Sequence, residues 1–268
     1  MKPIHRVAGD HFLIFKYGDG LSLQLNFRTL MLVQTLRERR IKGIRGISSS
    51  INSLMLDYDP RLVSVDELIR EVDLLGSGEE VEKARLRSRL VHVPVVYGDR
   101  WTRACAEAFH SLPNLEFVAE QNGLSVDELV QMHQACVYWV LYIGFTPGLP
   151  SFVPINPAKS ISVPKYEAPR TRTPRGTLGI GGILQCLYPL DSPGGYYMLG
   201  RTPLRICDPA RRNPVFKKDI VLFRPGDRLV FEPIGHEEFR AIEKNLETYP
   251  YRVEEEDWTL NRFPQEEA

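Results

Sequence analysis

The sequence has no excess of charge of either sign, because its 34 Lys and Arg residues balance 34 Asp and Glu residues. Proteins whose main partner is nucleic acid usually carry a basic excess, so this balance argues against that class. Long apolar runs are also lacking: the best candidate, residues 137–145, has only nine residues, against the ~20 that a membrane span needs. The first residues show no apolar stretch typical of a signal peptide. We therefore expect a cytoplasmic protein with neither a nucleic-acid nor a membrane partner.

Cysteine is scarce, since the chain has four and no two of them form a CxxC pair. This argues against zinc sites and against a disulfide framework, so we expect no metal centre and small buried thiols. The sequence also lacks a GxxxxGK(S/T) phosphate loop, a GxSxG nucleophile elbow, an HExxH zinc motif and an EF-hand loop. These absences remove the enzyme classes that those motifs define.

The residues that are present divide the chain into three regions. Residues 1–90 alternate strand and helix patterns, which predicts a small α/β N-terminal domain. In residues 91–240 many prolines and glycines separate short apolar runs, a spacing typical of an all-β barrel or sandwich. Residues 241–268 are predicted to form an acidic C-terminal extension, because ten acidic and four basic residues follow position 236.

Two capping boxes predict where helices begin. In a capping box, a Ser and a Glu three residues later satisfy the free N–H groups of the first helical turn. The sequence has this pattern at Ser64 with Glu67 and at Ser125 with Glu128. The second helix is expected to run towards His133. Residues 76–90 are polar and strongly charged, so we interpret them as a linker or a solvated edge.

A dense run of Pro, Gly and Arg residues between positions 144 and 208 is the richest candidate site. Arg170, Arg172 and Arg201 offer guanidinium forks that suit a carboxylate or a phosphate. Arg170 and Arg172 alternate along an extended segment, so we expect them to point the same way. A packed structural loop explains the prolines and glycines equally well, and the arginines could pair with aspartates such as Asp191.

Other residues in or near this run have both a chemical and a structural interpretation. His133 could act as a general acid and base, or it could be a hydrogen-bonded structural residue. Tyr188 could donate its hydroxyl to a substrate oxygen, or it could pack against the barrel. Ser192, Gly194 and Gly195 could present backbone N–H groups to an anion, or they could only turn the chain.

Four segments carry a resemblance to a known family: GFTPGLP at 144–150, PRTRTPRGTLGIGG at 169–182, LYPLDSPGGYYMLGRTPLRICDP at 187–209 and RPGDRLVFEPI at 224–234. They resemble the signature of the allophanate hydrolase subunit 1 family. That family includes one of the subunits of 5-oxoprolinase, an inhibitor of a sporulation histidine kinase, and one half of the urea carboxylase carboxyltransferase domain. The resemblance covers nearly the whole chain. It implies an α+β protein, with a small α/β N-terminal domain followed by a cyclophilin-like β-barrel domain.

The resemblance also implies a function. The chain would be one component of a heteromeric, ATP-dependent hydrolase of cyclic amides, with 5-oxoproline as the default substrate and a second, related barrel subunit as partner. ATP would be used by the complex, and the substrate would be a small carboxylate or amide. The expected site residues are His133, Arg172 and Tyr188 for catalysis, and Arg170, Arg201, Ser192, Gly194, Gly195, Pro147 and Gly148 for substrate binding.

Two alternatives stay open. The chain could be half of a biotin-dependent carboxyltransferase that works with a biotin carrier, as in urea carboxylase. Residues 249–261 favour this alternative, because they continue past the end of the short family members and are similar to the extension of the carboxyltransferase version. The chain could also be a non-catalytic binding protein of the kinase-inhibitor type.

The sequence departs from the family pattern around the expected mouth of the site. Arg175 stands where the family has a small residue in a Val-Pro-Ala-Gly turn. Leu149 replaces a phenylalanine. Residues 184–186 are Leu-Gln-Cys where the family has Gln-Thr-Gly, so the side-chain amide is lost from its usual position or moved by one place to Gln185. Residues 99–112 look like an insertion. These changes predict an unchanged scaffold with an altered substrate, or with catalysis lost.

Overall fold

A computed structural model describes residues 3–76 and 84–265 of the protein. The density of contacts separates two compact units, Met1–Ser88 with Glu256–Ala268, and Arg89–Glu255. No helix in the described ranges is long and apolar enough to cross a membrane. Part of the predicted linker, residues 77–83, lies outside the described residues.

Among its described residues, the first unit contains a four-stranded antiparallel sheet and two helices. In the sheet the strand order is β1-β2-β4-β3. The bounds are β1 Ile4–Ala8, β2 Phe12–Lys16, α1 Leu23–Arg39, β3 Ile44–Ser49, β4 Ser53–Tyr58 and α2 Val65–Gly76. Alternate residues of β2 and β4, including Leu13, Phe15, Leu54 and Leu56, are fully buried in a core shared with α1. This architecture agrees with the α/β part of the predicted fold class.

The second unit is a closed barrel of seven strands in the order β12-β9-β10-β7-β6-β13-β5, with β5 pairing back to β12. Strand β14 adds to β5 outside this closed ring. The bounds are β5 Leu86–Tyr97, β6 Tyr138–Ile143, β7 Pro150–Pro154, β9 Thr177–Gly181, β10 Leu184–Leu187, β12 Tyr197–Arg201, β13 Arg228–Pro233 and β14 Val253–Trp258. The barrel interior is filled by apolar side chains such as Val93, Phe152 and Leu178.

Four helices and a short ribbon complete the barrel unit. The helices are α3 Arg100–Ala108, α4 Asn114–Gln121, α5 Val126–Gln134 and α6 His236–Lys244. Helix α5 begins at the predicted capping box: the Ser125 N–H donates to Glu128 Oε2 over 2.8 Å, and the Glu128 N–H donates to Ser125 Oγ over 3.2 Å. Strands β8 Arg170–Thr173 and β11 Ser192–Gly194 pair as a separate two-stranded ribbon.

The C-terminal residues do not form the separate extension that was predicted for residues 241–268. The expected boundary at residue 240 falls inside helix α6. Beyond it, the Tyr251 hydroxyl accepts the Arg205 N–H over 3.0 Å, so this part of the chain belongs to the barrel. Phe263 belongs to the first unit and packs edge-on against Phe27 at a ring distance of 5.9 Å. Acidic composition did not reveal these roles, because a few aromatic residues among the carboxylates make the packing contacts.

Candidate functional site

The β8–β11 ribbon positions most of the predicted site residues. Ser192 pairs with Thr173 and Gly194 pairs with Arg170, so β8 has one more residue than β11 between these two pairs. This irregularity breaks the alternation of a regular strand. Arg170 is therefore buried, at 3% exposure, whereas the side chain of Arg172 is 71% exposed. The prediction that the two arginines point the same way is wrong for this reason.

The guanidinium of Arg170 is buried, and only some of its N–H groups have hydrogen-bond partners among the described residues. Its Nη2 donates to the Tyr196 carbonyl oxygen over 2.5 Å and lies 3.4 Å from Thr173 Oγ1. The guanidinium carbon sits over the ring of Tyr166 at 4.9 Å. Its Nε and Nη1 are buried without a hydrogen-bond partner, and within residues 3–76 and 84–265 no carboxylate pairs with it. A buried charge without a counter-charge is costly, so this geometry favours an anionic ligand.

Tyr188, Ser192 and Gly194 lie beside Arg170, and we call these residues with Thr173 the Arg170 cluster. A Cβ on Gly194 would stand 2.4 Å from the Tyr188 hydroxyl oxygen, so only glycine fits there. Burial raises the pKa of Tyr188 well above its usual range, which keeps the phenol protonated and able to donate. The hydroxyl of Ser192 is buried and has no hydrogen-bond partner in the part of the chain that the structure describes. The structure therefore brings four predicted residues together around a set of unused polar atoms.

The remaining predicted loop residues shape the chain near this cluster. The Gly195 carbonyl accepts the Tyr166 N–H over 3.0 Å. Gly148 has a φ of +85°, and a Cβ there would stand 3.1 Å from the Cys207 Cβ, so the turn requires glycine. Pro147 is exposed on the same loop. The following residue, Leu149, packs in one apolar cluster with Tyr188 and so connects this loop to the Arg170 cluster.

His133 lies in the barrel core with both ring nitrogens engaged. The Tyr97 hydroxyl is 2.7 Å from Nδ1, and Gln185 Oε1 is 2.7 Å from Nε2. Because the amide oxygen only accepts, Nε2 carries the proton and Nδ1 accepts from the tyrosine. Burial lowers the pKa of His133 to about 4, so the ring is neutral near pH 7. In this arrangement neither nitrogen is open to a substrate, so His133 has the geometry of the structural alternative.

We expect His133 to make the fold sensitive to mild acid. The unfolded chain takes up a proton near pH 6.5 and the folded chain only near pH 4, so stability should fall between these values. The loss should approach about 3 kcal/mol, since each unit of pKa difference corresponds to about 1.4 kcal/mol. Denaturant unfolding between pH 7 and 4 would measure it. In the non-titrating variant His133→Gln this part of the pH dependence should disappear, and an unchanged profile would contradict the assignment.

Arg172 and Arg201 lie in another place, an open cleft of about 590 Å³ that we call the arginine cleft. Arg172 donates through Nε and Nη2 to Asp191 Oδ2, over 3.0 and 2.7 Å. Arg201 donates to the Arg175 carbonyl oxygen over 2.7 Å. Cys105 and Glu243 also line the cleft, and sequence reasoning missed them because both are distant in the chain from the arginines. Arg175 stood out in the sequence only as a departure from the family pattern.

Comparisons with known proteins identify the family. The model of the carboxyltransferase domain, subdomains C and D, matches residues 3–217. A 5-oxoprolinase subunit of Escherichia coli O157:H7 is 33% identical to this chain. The match covers 85% of this chain and 94% of the length of that subunit. The chain therefore belongs to the carboxyltransferase domain family of subdomains C and D, which confirms the resemblance.

Two further relatives extend the match along the chain. Urea amidolyase of Saccharomyces cerevisiae is 29% identical over 94% of this chain, which spans only 14% of that protein's length. The crystal structure of Kluyveromyces lactis urea carboxylase superposes with a TM-score of 0.84 and 25% identity. The superposition covers 97% of this chain and 24% of the carboxylase chain. The fold class predicted from the resemblance is thereby confirmed.

Proposed function

We propose that this chain is one subunit of a heteromeric, ATP-dependent enzyme that hydrolyses a cyclic amide, with 5-oxoproline as substrate. The partner would be a second, related barrel subunit. The similarity to a protein named as a subunit of 5-oxoprolinase, over nearly all of that protein's length, supports the assignment to this group. The partner, the ATP dependence and the substrate are parts of the proposal.

The observation that carries the proposal is the Arg170 guanidinium with two unpartnered nitrogens. The substrate proposed carries a carboxylate next to its lactam ring, and a guanidinium fork matches a carboxylate with two parallel hydrogen bonds. The protonated hydroxyl of Tyr188 and the unpartnered hydroxyl of Ser192 supply neutral donors nearby. Together they suit a small molecule with one negative charge and one amide oxygen.

The sequence of this chain gives no positive sign of an ATP site. The sequence has no phosphate-binding glycine loop followed by lysine. Among the described residues, no three or more His, Cys, Asp and Glu side chains are grouped so that they could hold a metal ion. The proposal therefore places ATP on another subunit of the complex, and no step at the Arg170 cluster involves it.

The test is ADP release by the complex of this chain with its cognate subunits. We expect release with 5-oxoproline, and little release with its carboxamide, which keeps the lactam but lacks the charge that Arg170 would bind. Equal turnover of both compounds would remove Arg170 from substrate recognition. A folded complex that turns over neither compound would overturn the proposed function.

A second candidate is one half of a biotin-dependent carboxyltransferase. One observation favours it: nearly the whole chain superposes on urea carboxylase, and the sequence match to urea amidolyase of Saccharomyces cerevisiae covers 94% of this chain, against 85% for the sequence match to the 5-oxoprolinase subunit of E. coli. The larger coverage fits a C-terminal region that contributes residues to both units of this protein. In this case a biotinylated carrier would co-purify with the complex, and labelled carboxyl groups would pass from it to an amide such as urea. Failure of that transfer would count against the candidate.

A further inference from the structure

We propose that the arginine cleft is a binding site for a small monocarboxylate with an apolar body. The site is built from residues other than the Arg170 cluster, and the inference does not depend on the proposed function. The lining of the cleft divides into an apolar wall and a charged wall, and the charges on the second wall do not cancel.

One wall of the cleft is helix α3, which belongs to the segment that looks like an insertion in the family pattern. Five residues of this segment line the cleft: Trp101, Ala104, Cys105, Ala108 and Phe109. They provide two aromatic rings, small side chains and a thiol, and no charge. Small residues at Ala104 and Ala108 leave room beside the aromatic rings. This wall therefore suits the apolar part of a ligand.

The opposite wall is strongly charged. Arg172, Arg175 and Arg201 face Asp191 and Glu243, so three positive charges meet two negative charges and one positive charge remains. Arg175 Nη2 lies 3.4 Å from Glu243 Oε1, and Arg201 Nη2 lies 3.8 Å from the same oxygen. One carboxylate is thus shared by two guanidinium groups. Arg175 Nη1 also faces the carbonyl oxygens of Pro203 and Leu204, at 3.5 and 3.3 Å, so the donor capacity for a further oxyanion lies mainly on Arg201.

The arginines of this wall also disturb one another. Burial, together with the nearby charge of Arg201, lowers the pKa of Arg175. An anion between the two groups would relieve both the desolvation and the repulsion. Arg201 is held in place from the other wall, because its guanidinium carbon lies 5.1 Å from the centre of the Trp101 ring. The surplus of one charge matches a carboxylate better than a phosphate dianion.

Cys105 provides a direct probe, since its half-buried thiol lies in the cleft. Iodoacetate and iodoacetamide form the same thioether bond with release of iodide, but only iodoacetate is a carboxylate. We expect the ratio of the iodoacetate rate to the iodoacetamide rate to be at least about fivefold higher at Cys105 than at Cys207, because one nearby unit charge contributes that factor. Cys207 is also half-buried and is the internal reference, but Asp208 and Asp219 lie near it and repel iodoacetate. The fall of the Cys105 ratio in the arginine variants is therefore the decisive measurement. Burial raises the pKa of the Cys105 thiol, but a ratio of two reagents cancels that effect.

Variants separate the cleft from general effects on the protein. Arg175→Gln and Arg172→Gln should each bring the ratio at Cys105 towards that at Cys207. Arg172 lies at the exposed rim, so its variant remains informative even if Arg175→Gln does not fold. Arg103→Gln is the matched control, because Arg103 lies on the same helix but pairs with Glu116 outside the cleft lining. Equal ratios at the two cysteines, or an equal loss in the control, would overturn the proposal.

Ligand protection tests the chemical class. Benzoate should slow the alkylation of Cys105 by iodoacetamide, and the neutral benzamide should not. Binding of benzoate should weaken about tenfold in Arg175→Gln, as expected for loss of a charged hydrogen-bond donor. Stronger protection by phenyl phosphate would replace the carboxylate assignment with a phosphate, and protection by neither anion would reject the site.

Discussion

Replacing Arg170 with methionine is expected to lower substrate turnover sharply while leaving the folded chain at least as stable as before. Methionine fills a similar volume, and replacing an uncompensated buried charge with an apolar side chain is often neutral or stabilising. The cost is the lost hydrogen bond to the Tyr196 carbonyl, together with the weaker contacts to Thr173 Oγ1 and to the Tyr166 ring. Turnover of the carboxylate substrate should fall about a hundredfold, which corresponds to the loss of a charge-assisted contact.

The measurement is ADP release with 5-oxoproline by the assembled complex, with thermal unfolding of the isolated chain alongside it. Arg170→Lys keeps the charge but not the fork, so it should recover part of the turnover. Arg103→Met is a matched exposed control and should leave turnover unchanged. Full turnover in Arg170→Met would show that this guanidinium serves the fold, and a large drop in its unfolding temperature would lead to the same conclusion.

Replacing Asp227 with alanine should destabilise the barrel by about 3–5 kcal/mol, the usual result of removing one partner of a buried ion pair. Arg89 Nε and Nη2 contact the two oxygens of Asp227 at 3.0 and 2.5 Å. The same carboxylate accepts the Arg224 N–H over 2.7 Å and so closes the turn before β13. Asp227 is 3% exposed, so water cannot replace the lost partner of Arg89.

Denaturant unfolding of the purified chain would measure this loss. The double variant Arg89→Met with Asp227→Leu should recover much of it, because the unpaired charge is gone. If the single variant costs less than about 1 kcal/mol, the pair behaves like an exposed salt bridge. A double variant that is no better than the single one would show that the turn bonds of Asp227, rather than its charge, stabilise this part of the barrel.

Local features of the fold could be predicted because they depend on neighbours in the sequence. Both capping boxes occur where Ser and Glu are three residues apart, since a first helical turn needs only those two side chains. The alternation of Leu13 with Phe15 marks a strand with one buried face. The type and closure of the barrel came from the family resemblance, because short apolar runs between turns fit a sandwich equally well.

The candidate site was predictable only in part. Arg170, Tyr188, Ser192 and Gly194 were selected from the sequence, and they do lie together. Their separation from Arg172 was not predictable, because one extra residue in a paired strand changes which side chains are buried, and the pairing partner is itself unknown from sequence. The neutral state of His133 likewise depends on burial by the surrounding strands.

By itself, the sequence determined the family, the class of fold and the absence of a charge excess that nucleic-acid binding would require. Only the tertiary structure decided how the balanced charges are used. Among the residues that the structure describes, it buries Arg170 without a carboxylate partner and collects three arginines with two acids in one cleft. The reason is physical: the energy of a charge depends on its depth and on the groups within a few ångströms, and residues as far apart as Cys105 and Glu243 become neighbours only when the chain folds.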